Sequence, residues 1–138
     1  MAAKAPVRVE LFDTSLRDGL QQPNLAISVP NAVALLERMG QFGVHYAEIG
    51  FAGANQFVSD LTAALGNVDT GAMQLALFGR SRGRGVRVDD WTDTQFILRH
   101  KTRVPVAVIV VKSRLLDVAN SLGVTPEENL RMARETVD

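Results

Sequence analysis

The chain has 138 residues, 46% of them hydrophobic and 22% charged, and fifteen basic side chains balance fifteen acidic ones. That length supports one domain with a real core, and a net charge of zero excludes a bulk field that would gather nucleic acid or an anionic membrane surface. The absence of cysteine excludes disulfides and thiolate metal sites.

The N-terminal MAAKAPVRVE lacks the apolar core of a signal peptide. The longest apolar stretch, PVAVIVV at 105–111, is too short to span a bilayer. The expectation is a cytoplasmic domain with neither nucleic-acid nor membrane partners.

In chain order, the alternating Val7, Val9 and Leu11 predict a first strand over 7–12. It runs into FDTSLRDGLQQ, where Asp13, Arg17 and Asp18 fall within six residues. Charges at the end of a buried strand cost free energy unless they are paired or hold a ligand. A solvated turn is the alternative, since Asp, Thr, Ser and Gly are ordinary turn residues. A helix follows, marked by Val33, Leu35, Leu36, Met39 and Phe42, with Ser28 as N-cap and Gly43 closing it.

The second strand is predicted over 44–49 and ends near Glu48, and its helix carries Phe57, Leu61, Ala64 and Leu65 with Gly66 as C-cap. A third strand over 74–78 leads into GRSRGRGVR at 79–87, whose arginines lack the aromatic interleaving of a nucleic-acid groove. That stretch reads as a loop, with an anion site as its functional option. Trp91, Phe96, Ile97 and His100 mark a third helix, and 104–111 a fourth strand. In TPEE, Thr125 is the N-cap, Pro126 the first helical residue and Glu128 the close of a capping box, ahead of Leu130, Met132, Ala133 and Val137.

Four strand–helix units with a period near thirty residues predict an α/β fold with a parallel sheet. Two architectures fit: a small doubly wound open sheet, or a (βα)4 portion of a TIM (β/α)8 barrel with outer helices. A full barrel needs about 250 residues, so a barrel here would be its N-terminal half. Ligands of such folds bind at the carboxyl ends of the strands. That rule gathers Asp13, Arg17, Asp18 and Gln21 with Glu48, with Arg80, Ser81 and Arg82, and with Lys112 and Ser113.

Carboxylate oxygens suit a hard divalent cation, and a neighbouring arginine suits a developing oxyanion or enolate. His45 starts the second strand, at the wrong end for such a site, and His100 falls near a helix C-terminus; both read as structural. No Ser-His-Asp, Cys-His, G-x-S-x-G, P-loop or G-x-G-x-x-G pattern is present.

FDTSLRDGLQ at the end of a first strand, YAEIGF in a second, LFGRSRGRG, VKSRLL and EENLRMARETV together resemble the metal-dependent barrel family of 2-isopropylmalate, homocitrate and citramalate synthases. Hydroxymethylglutaryl-CoA lyase belongs to the same superfamily, and the likeness is nearest to citramalate synthase-like members. The resemblance runs over nearly the whole chain. It implies a Claisen condensation of acetyl-CoA with a 2-oxo acid, assisted by a divalent metal (Mg, Mn or Zn).

Carried over residue by residue, it implies that Arg17 stabilises the keto or enolate oxygen and Asp18 binds the metal. Gln21 and Arg82 line the substrate pocket, Glu48 is a catalytic acid–base residue, and Asp13 orients the arginine. The sequence departs from the family pattern at Ser15, in LQQPN, and at Asp117, where citramalate synthase-like members carry histidine. The family's His-x-His metal pair is expected on a later strand, beyond Asp138. Further expectations are a homo-oligomer covering the open sheet, with a non-catalytic half-barrel module and a carbon–carbon lyase as the competing functions.

Overall fold

The computed structural model describes residues 7–138, so the signal-peptide reading of the first six residues lies outside the described residues. Four strands, β1 (Phe12–Asp13), β2 (Tyr46–Phe51), β3 (Gln74–Arg80) and β4 (Val106–Val110), form one sheet in chain order with every pairing parallel. Among the described residues five α-helices accompany them: α1 (Val29–Phe42), α2 (Gln56–Ala64), α3 (Thr92–His100), α4 (Leu115–Asp117) and α5 (Pro126–Val137).

The capping chemistry places α1 and α5. Ser28 accepts from the Asn31 N–H at 3.4 Å, and Gly43 closes α1 at a φ of 90° that a side chain would strain. Thr125 accepts from the Glu128 N–H at 3.2 Å, with Pro126 in the first turn.

Leu36 of α1, Leu61 of α2 and Ile97 of α3 share one core with Ala47, Ile49, Leu75 and Leu77 of the sheet. Three helices on one face, with the other face left for a different surface, is the barrel arrangement and not the doubly wound one. The opposite face carries Tyr46, Glu48, Phe51 and Phe78; it is this concave surface that holds the polar groups. Among the described residues no helix is long and apolar enough to cross a membrane.

Several expectations are corrected. The first strand is two residues and not 7–12, because pairing starts only at Leu11, whose carbonyl accepts from the His45 and Tyr46 N–H groups at 3.1 and 3.0 Å. Val7 and Val9 precede that contact and stand 82% and 69% exposed. Gly66 is not the C-cap of α2; Leu65 is, and Gly66 falls in the short turn beyond it. The capping box of α5 is half formed, because the Glu128 carboxylate accepts from Arg82 and Arg131 and does not turn back to Thr125. The short α4, which continues into a wide turn over Val118–Leu122, was not anticipated.

Candidate functional site

The loop after β1 is wound around one carbonyl. The N–H groups of Arg17, Asp18 and Gly19 all donate to the Thr14 oxygen, at 3.1, 2.7 and 3.3 Å. Asp13 fixes the entry to the loop by accepting from the Ser15 N–H at 2.9 Å and its hydroxyl at 3.0 Å, the local bonding that makes Asp a turn residue. Its bonds go to Ser15 and none goes to Arg17, so Asp13 acts on the arginine through the backbone of the turn. Ser15 supplies the hydroxyl that a threonine would.

That turn sends Arg17 across the concave face. Its Nε donates to Glu48 Oε2 at 2.6 Å and its Nη1 to Asp18 Oδ1 at 2.8 Å, while its guanidinium lies 4.5 Å from the centre of the Phe78 ring. Two carboxylates and an aromatic face therefore fix one plane, and Nη2 keeps its donors without a hydrogen bond among the described residues. Arg17 is 20% exposed, Asp18 60% and Glu48 1%. Arg17, Asp18 and Glu48 are thus brought together. Gln21 lines the same cavity as Arg17, of about 450 Å³, between the loop after β1 and the start of α2.

Glu48 does not end its strand. It sits mid-strand in β2, opposite Ala76, and the register slips between Glu48 and Gly50. The extra residue of this bulge turns Gly50 toward α2, where a Cβ would meet Val58 at 2.5 Å. It also turns Phe51 toward Phe78, with ring centres 5.3 Å apart. One oxygen of Glu48, Oε1, is buried with no hydrogen-bond partner among the described residues. An unmade bond on a buried carboxylate costs about 1–3 kcal/mol or more, so the position is held against a stability penalty.

The end of β3 builds a second polar arrangement that sequence reasoning only partly found. Arg80 donates from Nε and Nη2 to the two oxygens of buried Asp93, at 3.0 and 3.2 Å, and its backbone N–H donates to Asp93 at 2.9 Å. Its guanidinium stands 5.0 Å from the Phe51 ring and 5.2 Å from Trp91. The hydrogen bond to Asp93 raises the Arg80 pKa above its ordinary value, against the opposing effect of burial. Arg80 was expected at this strand end; its partner Asp93, thirteen residues on, gave no signal beyond a polar stretch.

Arg82 is 4% exposed, and its Nε donates to Glu135 Oε2 at 2.5 Å and its Nη2 to Glu128 Oε1 at 3.5 Å. Its backbone N–H donates to the Thr136 hydroxyl at 2.9 Å. The structure therefore turns the Arg82 guanidinium to α5, although the residue lines a cavity with Phe78 and Arg80. His45 accepts from the Leu11 N–H at 3.1 Å through Nδ1, and His100 lies 4.6 Å from the Phe96 ring, as structural residues would.

A divalent cation needs more oxygens than this cluster offers. Among the described residues no group of three or more His, Cys, Asp or Glu could hold a metal ion. Asp18 keeps one carboxylate oxygen clear of Arg17, and Glu48 keeps one buried oxygen unbonded. These residues fit part of a coordination shell and not a whole one.

Residues 8–138 match the HMGL-like family. The (R)-citramalate synthase of Aquifex aeolicus is 31% identical over 131 residues, covering 95% of this chain and 24% of the synthase. A 2-isopropylmalate synthase of Prochlorococcus marinus is 41% identical over 61 residues, covering 44% of this chain and 11% of that one. The crystal structure of the Bacillus subtilis HMG-CoA lyase superposes with a TM-score of 0.63 at 14% identity, over 96% of this chain and 42% of the lyase chain. The chain thus spans about a quarter of the length of the curated relatives it matches along most of its length.

Proposed function

The chain belongs to the HMGL-like family, and we propose that it forms the N-terminal half of a cytoplasmic barrel enzyme that condenses acetyl-CoA with a 2-oxo acid. The reaction removes a proton from the acetyl methyl, forms a carbon–carbon bond to the keto carbon, and leaves an alkoxide that takes up a proton. Water then cleaves the thioester and releases CoA. The concave rim built by the loop after β1 and by β2 would bind the keto group.

One observation carries the reading. Arg17 is locked on two sides by carboxylates and below by Phe78, yet Nη2 makes no hydrogen bond among the described residues. A guanidinium fixed in this way supports an oxyanion without reorganising, which is where such donors gain their effect. Arg17 would donate to the keto oxygen as its charge develops, and Gln21 would orient the 2-oxo acid from the cavity both residues line. Glu48 would hold the plane of Arg17 through Oε2 and accept or return a proton through Oε1. Asp18 would offer one oxygen to a divalent cation completed by ligands from outside the described residues. Arg82, engaged by α5, would support the substrate cavity from behind.

The test is release of the CoA thiol, measured colorimetrically, from acetyl-CoA with a series of 2-oxo acids in Mg²⁺ or Mn²⁺. The reading expects thiol release that requires a 2-oxo acid. Formation of acetyl-CoA from a 3-hydroxy-3-methylglutaryl thioester, with no thiol release from acetyl-CoA, would replace it by the lyase reading. Neither reaction would leave the non-catalytic module.

A further inference from the structure

Two separate cavities meet at one side chain. The cavity of about 450 Å³ that holds Arg17 and Gln21 is lined at its inner end by Gly50, Phe51 and Val58. A second, of about 320 Å³, lies beside Arg80 and is lined by Phe51, Phe78, Trp91, Val110 and Leu122. Among the described residues Phe51 is the one that lines both.

A wall side chain confines a ligand when it is kept from swinging away, and Phe51 is held from two sides. It pairs in register with Phe78 of β3, with the ring centres 5.3 Å apart. The next N–H, that of Ala52, donates to the Phe78 carbonyl at 2.7 Å, which fixes the backbone behind the ring. The Arg80 guanidinium lies 5.0 Å from the Phe51 ring centre and 5.2 Å from that of Trp91. Arg80 is itself anchored, because Asp93 accepts from its Nε and Nη2 at 3.0 and 3.2 Å and Trp91 Nε1–H donates to its carbonyl at 3.2 Å. Gly83 leaves room for the Trp91 ring, which a Cβ there would meet at 2.8 Å. A cation over an aromatic face is a weak contact at a partly exposed site. Here Asp93 has already ordered the cation, so little further rotamer freedom is lost when it holds the ring.

Behind the ring lies apolar surface. Phe78, Trp91, Val110 and Leu122 would bury an alkyl chain favourably if one reached them. A ligand anchored at Arg17 meets Phe51 first. We propose that Phe51 is a specificity-determining partition, pinned by Arg80, that keeps the side chain of a 2-oxo acid held at Arg17 out of the cavity lined by Trp91. This rests on the reading of Arg17 as the keto-group donor. It makes Arg80 a positioning residue that acts on the ligand through the Phe51 ring.

The experiment titrates the full chain, with Mg²⁺ present, by 2-oxobutanoate and by 2-oxooctanoate, which differ in chain length alone. Binding is read by calorimetry and, separately, by the emission of Trp91, the single tryptophan. In wild type the two acids should affect Trp91 alike, because the partition keeps the longer chain away from it. In Phe51→Ala the longer acid should quench or shift Trp91 emission where the shorter does not. Its affinity relative to the shorter acid should also rise about tenfold, the effect of burying about two methylenes. Arg80→Gln keeps the ring but releases it, so both readouts should move the same way by a smaller amount. The Arg80 side chain is 52% exposed, so this variant reads the partition even if Phe51→Ala unfolds. A wild-type Trp91 signal that already separates the two acids overturns the partition, as do an affinity ratio and a Trp91 signal unchanged in every folded variant. Movement in Phe51→Ala with none in Arg80→Gln overturns the role given to Arg80. No binding of either acid to wild type overturns the functional reading itself, a result distinct from binding with an unchanged ratio.

Discussion

Glu48 separates a residue kept for stability from one kept for chemistry, and two variants read the difference. Glu48→Ala removes the one partner of Arg17 Nε among the described residues, a 2.6 Å bond to a carboxylate that is 1% exposed. Breaking a buried pair by deleting one partner costs about 3–5 kcal/mol. Arg17 is 20% exposed and retains Asp18, and the mutation also removes the unbonded Oε1, so the expected loss is nearer 2 kcal/mol. Glu48→Leu combined with Arg17→Met replaces the whole pair by apolar side chains of similar volume, and such replacements of buried ion pairs are often neutral or stabilising. It should fall within about 1 kcal/mol of wild type. Urea unfolding followed by the fluorescence of the single tryptophan, Trp91, reads both. Glu48→Ala should lower the midpoint by about 1–2 M, for a slope of about 1–3 kcal/mol per molar urea. Neither variant should support thiol release. If the paired replacement were as destabilised as Glu48→Ala, the carboxylate would be held for the fold, and the argument from its unbonded oxygen would fail.

Gly50→Ala should lower the melting temperature by several degrees, since its Cβ would meet Val58 of α2 at 2.5 Å and overpacking costs about 1–3 kcal/mol. Arg82→Ala should speed amide exchange along α5, because the buried guanidinium ties Glu135 and Glu128 to the loop after β3; unchanged exchange would show that the helix docks without it. Burial, aided by Arg99, lowers the His100 pKa, so the unfolded chain binds more protons near its ordinary value of 6.5. Stability from this group is therefore present above that value and declines as pH falls through it, and His100→Gln should flatten that slope in urea midpoints measured from pH 7.5 to 5.

What the sequence showed follows from how locally each feature is encoded. Ser28, Gly43, Thr125 and Pro126 act on backbone within a turn of themselves, and the ends of α1 and α5 lie where those residues place them. The cluster of Arg17, Asp18 and Glu48 was legible because parallel strands deliver their ends to one rim. The depth of Glu48 was not, since β2 runs on past it to Phe51 through a register shift at Gly50, whose lack of a side chain makes room for Val58 of α2. The first strand looked longer because alternation of Val7, Val9 and Leu11 reports a period and says nothing about a neighbour to pair with. Asp93 was silent for a similar reason: its burial comes from glycine at 79 and the docking of α3, both remote from its own polar surroundings. The residues 115–122 carry Leu115 and Leu116, exposed by 66% and 58%, with no side-chain cap to announce a helix.

The central claim is that Arg17, held by Glu48 and Asp18, is the oxyanion donor of an acyl-transfer site, and steady-state thiol release by Arg17→Lys tests it most directly. Lysine keeps the charge but cannot hold Glu48 and Asp18 while presenting a third donor in the same plane. The account predicts a fall in kcat of about a hundredfold or more, with a smaller change in KM, as expected when a donor acts mainly on developing charge. A kcat within a factor of about three of wild type, corresponding to less than 1 kcal/mol of transition-state stabilisation, would contradict it.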